Sequence, residues 1–177
     1  MTISLAIDTS TSRTVVGLLD GDQVLFEGFA EGATDHGRAV SDLVAQALAD
    51  NPSPDRVVVG MGPGPFTGLR VGIAFARTFA LSREIPVIGV CSLDAIVVKQ
   101  DAYTVAIDAR RKEIYWARYK DGVRVEGPSV NKPGEVSDFI IDLYPSVTRL
   151  VSLADFQNEC EPFYLRRPDA VPTAERT

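Results

Sequence analysis

With 177 residues, 45% hydrophobic and 24% charged, the chain can bury the core of one ordinary domain or of two small ones. A net charge of −6 and a pI near 4.8 exclude the basic footprint of a self-sufficient nucleic-acid binder. Cys91 and Cys160 are too few for a disulfide framework, and "MTISLAID" reaches Asp8 before any signal-like apolar run. No apolar run approaches membrane-spanning length, so the expected setting is the cytoplasm.

In chain order, Ile3, Leu5 and Ile7 alternate as in a strand, a Ser/Thr-rich turn follows, and 15–19 form a second strand. "GD" at 21–22 turns the chain into a third strand, "QVLFEGF". Val40, Leu43, Val44, Ala47 and Leu48 mark one face of a helix over 36–49, which Asp50-Asn51-Pro52 stops. "RVVVGM" is a continuous apolar run, typical of a strand covered on both sides. A helix over 66–83, the strand "PVIGV" and a short helix from Ser92 complete the order βββαβαβα.

The order then restarts. "TVAIDARRKEIYWARY" at 104–119 lies one hundred residues after "SLAIDTSTSRTVVGLL" at 4–19, and Ala6-Ile7-Asp8 matches Ala106-Ile107-Asp108. After a one-residue deletion, Val24 to Gly28 falls on Val123 to Gly127. Duplication predicts two α/β units, 1–101 and a shortened 102–177, facing each other as two ribonuclease H-like halves of an actin-like fold.

"GMGPGPFTGLRVG" at 60–72 holds five glycines, yet no phosphate motif fits it. It contains no lysine for a P-loop, and the third glycine of G-x-G-x-x-G falls on Thr67. Gly68, Gly72, Ala76 and Ala80 instead form a bare i±4n ridge along the following helix. Such a ridge serves in-chain packing against the 36–49 helix, or a small-residue docking face for another protein. Gly60, Gly62 and Gly64 let the chain turn sharply between strand and helix, with Pro63 and Pro65 stiffening it.

In an actin-like fold, each half offers an Asp-led turn whose amides hold phosphate. The first here, Asp8, Thr9, Ser10, Thr11 and Ser12, keeps small hydroxyl residues and reads as a vestigial phosphate turn. The second, "DARRK" at 108–112, has no glycine and carries Arg110, Arg111 and Lys112. Asp8 reads as a turn-forming residue in preference to a metal or water contact, since no second acid is placed to complete a pair. His36 is the sole histidine, which leaves no metal set and no Ser-His-acid triad, and no G-x-S-x-G elbow exists. Cys91, after a buried strand, reads as a packed thiol.

The segments "AIDTST" at 6–11, "GPGPFTGLRVGIAFARTFAL" at 62–81, "IPVIGVCSLDAI" at 85–96, "IDARRKEIYWARY" at 107–119 and "EPFYLRRPDAVP" at 161–172 resemble the TsaB (YeaZ) family. The resemblance implies an actin-like, non-catalytic subunit that pairs with the catalytic subunit TsaD and the ATPase TsaE. Together these install threonylcarbamoyl on the adenosine beside the anticodon of tRNA. It further implies that ATP and metal belong to the partner subunits, that tRNA is met only through the complex, and that a homodimer can form. The H-x-x-x-H metal pair of the catalytic relative falls here on Ser92 and Ile96, neither of which replaces an imidazole. The family is longer between a strand near "RLVSL" and the "YLR" tail, and Pro65 stands where it commonly has serine. The partner-binding residues expected on this reading are His36, Val40, Gly62, Gly64, Phe66, Thr67, Gly68, Arg70, Gly72, Ala76 and Ala80. The alternative is a kinase-like phosphotransferase of the same superfold, which would need glycine-rich turns in both halves and a catalytic acid.

Overall fold

A computed structural model describes residues 2–32 and 35–165. The first sheet contains β1 (Ile3–Asp8), β2 (Arg13–Asp20), β3 (Gln23–Glu31), β4 (Arg56–Gly60) and β5 (Val87–Val90), in the order β3-β2-β1-β4-β5. β1 and β2 pair antiparallel, as do β2 and β3, while β4 and β5 extend the sheet in parallel. The parallel crossovers are made by α1 (His36–Ala49) and α2 (Phe66–Arg83).

Strand periodicity decides which residues meet the helices. Leu5, Ile7, Val57 and Val59 point to one face and pack with Val40, Leu43, Val44 and Ala47 of α1 and Leu69 and Ile73 of α2. Ala6, Val15, Leu19 and Val58 point to the other face. That second face is covered by α3 (Val147–Leu153), whose Val147, Leu150, Val151 and Leu153 are buried against it. "RLVSL" is therefore helical and not a strand. Its apolar residues recur at three- and four-residue steps, and that face finds the uncovered side of the first sheet. The fit is close: a methyl at Gly17 would lie 2.6 Å from Val147 Cβ.

The second sheet contains β6 (Ala102–Asp108), β7 (Ile114–Lys120), β8 (Val123–Asn131) and β9 (Phe139–Ile140), ordered β8-β7-β6-β9. Its four positions repeat the order, directions and hairpins of the first four positions of the first sheet. Asp8 pairs with Val15 where Asp108 pairs with Ile114, so the matched Ile-Asp residues occupy the same corner of each half. This is the duplicated ribonuclease H-like arrangement expected from the sequence. Where the first half inserts the 14-residue α1, the second has only a 3₁₀ turn at Pro133–Glu135. The short helix expected from Ser92 is likewise a single 3₁₀ turn, Leu93–Ala95. Cys91, Leu93 and Ile96 pack there against Val105, Ile107, Tyr115 and Tyr119, joining the halves.

Candidate functional site

β1 delivers Asp8 to the mouth of the loop 60–65, where the acid is fully buried. Its Oδ1 accepts hydrogen bonds from the Ser10 amide (2.8 Å) and Ser10 Oγ (2.6 Å). Its Oδ2 accepts from Ser92 Oγ (2.6 Å), which in turn accepts from the Gly62 amide (3.0 Å). Burial pushes the Asp8 carboxyl up from its ordinary range, opposed by the hydrogen bonds of Ser10 and Ser92 and by the charge of His36. Gly60 must be glycine, because a methyl there would overlap Asp8 Oδ2 and lie 2.6 Å from Ser92 Oγ. Gly64 is also too close for a side chain, its methyl position falling 2.4 Å from the Ser10 carbonyl oxygen. The glycines of the loop thus let backbone close directly over the β1 turn. Asp8, Thr9, Ser10 and Thr11 are at most 8% exposed, so only the Thr11–Ser12 end of the turn expected to be a vestigial phosphate site reaches open space.

The helix ridge has a related explanation. Thr9 Oγ1 donates to the Gly68 carbonyl (2.7 Å) and accepts from the Gly72 amide (3.2 Å). The hydroxyl therefore sits between a carbonyl and an amide that face each other at i and i+4 in α2. A methyl at Gly72 would lie 2.3 Å from Thr9 Oγ1, and one at Gly68 would lie 2.9 Å from His36 Nε2. His36 Nδ1 bonds Thr14 Oγ1 at 2.8 Å, and burial lowers the imidazole pKa, partly offset by Asp8. His36, Val40, Gly62, Gly64, Gly68, Gly72, Ala76 and Ala80 are all buried inside the monomer. The expected docking face on the bare ridge is corrected accordingly: the ridge is used by the chain's own hydroxyl, imidazole and core. Of the eleven expected partner-binding residues, Phe66, Thr67 and Arg70 alone are exposed.

The opposite side of α2 is open. Thr67, Arg70, Ala74, Arg77, Thr78 and Leu81 are exposed at helical spacing, beside Arg38, Ser41, Asp42, Ala45 and Gln46 of α1. Ser92, expected at a lost ligand position, holds Asp8, while Ile96 is buried in the seam between the halves. Among the described residues, no group of three His, Cys, Asp or Glu side chains could hold a metal ion. Burial pushes the Cys91 thiol up to about 12, consistent with a packed thiol.

The second turn differs from the first in form as well as in sequence. Arg110, Arg111 and Lys112 all lie at positive φ (62°, 54° and 62°), and Asp108 Oδ1 accepts from the Arg110 amide at 2.8 Å. A cavity of about 270 Å³ lies between the two turns, lined by Thr11, Ser12, Pro65, Asp108, Arg110 and Tyr144 among others. Arg166 and Arg167, in the segment "EPFYLRRPDAVP", lie outside the described residues.

Sequence reasoning missed the clasp at Asp94. Its Oδ1 accepts from Tyr119 OH (2.7 Å), and its Oδ2 accepts from Gln157 Nε2 (2.7 Å), tying the 3₁₀ turn to β7 and to the chain after α3. Its partners stand 25 and 63 residues away, and no local pattern announces them.

A family model described as TsaD, tRNA N6-adenosine threonylcarbamoyltransferase, matches residues 30–166. An uncharacterised protein of Mycobacterium leprae is 41% identical over 204 aligned residues, covering 97% of this chain and 57% of that protein. The alignment is longer than the chain itself, so that relative carries residues within the match that are absent here. The tRNA threonylcarbamoyladenosine biosynthesis protein TsaB of Escherichia coli is 34% identical over 66% of this chain and 54% of its own length. The chain thus spans just over half the length of these relatives. YeaZ from Pseudomonas aeruginosa superposes with a TM-score of 0.75 at 25% identity, covering 88% of this chain and 92% of that one.

Proposed function

The chain belongs to the TsaB (YeaZ) family, within the group that the threonylcarbamoyltransferase model describes, and from this premise we propose that it is a non-catalytic subunit for threonylcarbamoylation of tRNA. In this reading it docks a TsaD-type catalytic subunit, and that assembly works with a TsaE-type ATPase. ATP, metal and tRNA are handled by the assembly.

The observation that carries the reading is the sealed state of the Asp8 corner. Both carboxylate oxygens are taken by Ser10 and Ser92, and loop 60–65 closes directly over Asp8 and Ser10. An acid so enclosed neither reaches substrate nor exchanges a proton with it. The glycines of the loop then serve closure, and in this reading the outer side of α1 and α2 is the docking surface.

Reconstitution tests this directly. The chain mixed with a TsaD-type subunit should co-elute in size-exclusion chromatography, and Ala74→Trp or Leu81→Asp should abolish co-elution while leaving circular dichroism unchanged. Leu81 is 80% exposed, so its replacement costs the fold little. ATP turnover by the chain alone that disappears in Asp8→Asn would instead establish a kinase-like enzyme.

A further inference from the structure

Tyr119, at the opposite end of β7 from the Asp108 turn, borders a separate cavity of about 430 Å³. It opens where the 3₁₀ turn at Leu93–Ala95, the hairpin 121–124, α3 and the chain after α3 meet. It shares no lining residue with the cavity between the two turns, and its volume is that of a small-molecule site, about 300–1,000 Å³.

Two guanidinium groups line it. Arg124, 23% exposed, holds Nε 3.5 Å from Asp94 Oδ1, and its Nη1 lies 3.5 Å from Cys91 Sγ. Arg149, half-buried on α3, has a side chain that enters no hydrogen bond or ion pair among the described residues. Asp94 does not cancel that charge. Its oxygens already accept from Tyr119 and Gln157 and lie beside Arg124, and its side chain is only 7% exposed. In a chain of net charge −6, the cavity therefore keeps one guanidinium more than its carboxylate matches. A partly desolvated guanidinium without an acceptor favours an anion. The rest of the wall is apolar. Leu153 is buried, whereas Phe156 is 88% and Val123 65% exposed. Among the described residues no other ring stacks on Phe156.

We propose that this cavity binds a small organic anion, a carboxylate or phosphate ester with a planar apolar body. The anionic group meets Arg149 and Arg124, and the body lies against Phe156, Leu153 and Val123. A cation finds no acceptor there, because Asp94 is already surrounded by donors. An inorganic ion would leave the exposed Phe156 ring unused. Once bound, the ligand would tie the β7–β8 hairpin of the second half to α3, which packs on the first sheet. This site is independent of the docking reading above.

The test is an NMR titration of the full chain with phenyl phosphate, phenylacetate, inorganic phosphate and benzyl alcohol. An organic anion should shift the amides of Val123, Arg124, Phe156 and Gln157 saturably, with a Kd of about 1 mM or below. Saturation by either organic anion supports the proposal, and the tighter of the two identifies the head group. Arg149→Gln, which removes no contact of the fold, should weaken binding about tenfold or more. Phe156→Ala should weaken the organic anion a fewfold and leave inorganic phosphate unchanged. No shift around the cavity at about 10 mM of either organic anion overturns the proposal. So does binding that Arg149→Gln leaves unchanged, or shifts confined to Thr11, Ser12 and Arg110. Benzyl alcohol or inorganic phosphate binding as tightly as phenyl phosphate overturns it as well.

Discussion

Replacing Gly72 with alanine measures how tightly the β1 turn is locked into α2. An isolated helix would gain about 1 kcal/mol from this change. Here the new methyl would lie 2.3 Å from Thr9 Oγ1 and 3.1 Å from Thr9 Cγ2, well inside contact distance. Thr9 cannot yield freely, because its hydroxyl holds the Gly68 carbonyl and the Gly72 amide. Displacing it gives up two buried hydrogen bonds of about 1 kcal/mol each. Overpacking adds about 1–3 kcal/mol. After subtracting the helix gain of about 1 kcal/mol, Gly72→Ala should destabilise by about 2–4 kcal/mol. Thr9→Ala alone should cost less, since the Gly68 carbonyl and Gly72 amide stand at i and i+4 and can satisfy each other within the helix. In the Thr9→Ala background the alanine at 72 meets no hydroxyl, so most of its cost should vanish. The double-mutant cycle should therefore show a coupling of about 2 kcal/mol or more. Urea denaturation of the four proteins measures it. If Gly72→Ala matches or exceeds wild-type stability, or if the two changes simply add, the inserted-hydroxyl account is wrong.

Burial holds the His36 pKa below that of the unfolded chain, so His36 contributes stability above a pH of about 6.5 that is lost as pH falls through the folded value. Urea curves at pH 7.5 and 5.5 should show a loss in wild type that His36→Gln reduces, and an equal loss in both would refute it. Asp8 has the opposite sign: its raised carboxyl pKa contributes stability present below about pH 3.9 and lost as pH rises through the folded value. The stability of Asp8→Asn relative to wild type should therefore rise as pH increases above about 4, and a difference independent of pH would count against this. Gly89→Ala would place a methyl 2.2 Å from the Glu159 carbonyl and disturb the Glu159 amide bond to Gly89 (2.8 Å). Amide exchange at Glu159 and Phe163 should accelerate, and unchanged rates would show that the segment after α3 is held by other contacts.

The strand alternation of β1, the apolar run of β4 and the four-residue steps of α1 and α2 were legible because each reflects local geometry. A residue's neighbours on a face are set by the 2- and 3.6-residue periods, whatever the face meets. The repeat at one hundred residues was legible for the same reason, since both hairpins must satisfy the same corner. Periodicity also showed that Gly68, Gly72, Ala76 and Ala80 share one side of a helix, but a row without side chains fits a partner helix and an inserted Thr9 hydroxyl alike. Only the tertiary structure decided between them, through the position of the β1 turn 59 and 63 residues earlier. Long-range placement likewise sent α3 to the first sheet, gave Asp94 its partners Tyr119 and Gln157, and left Arg70 and Arg77 facing outward. Local pattern identifies a surface that must approach something closely; the path of the whole chain decides whether that something is the protein itself.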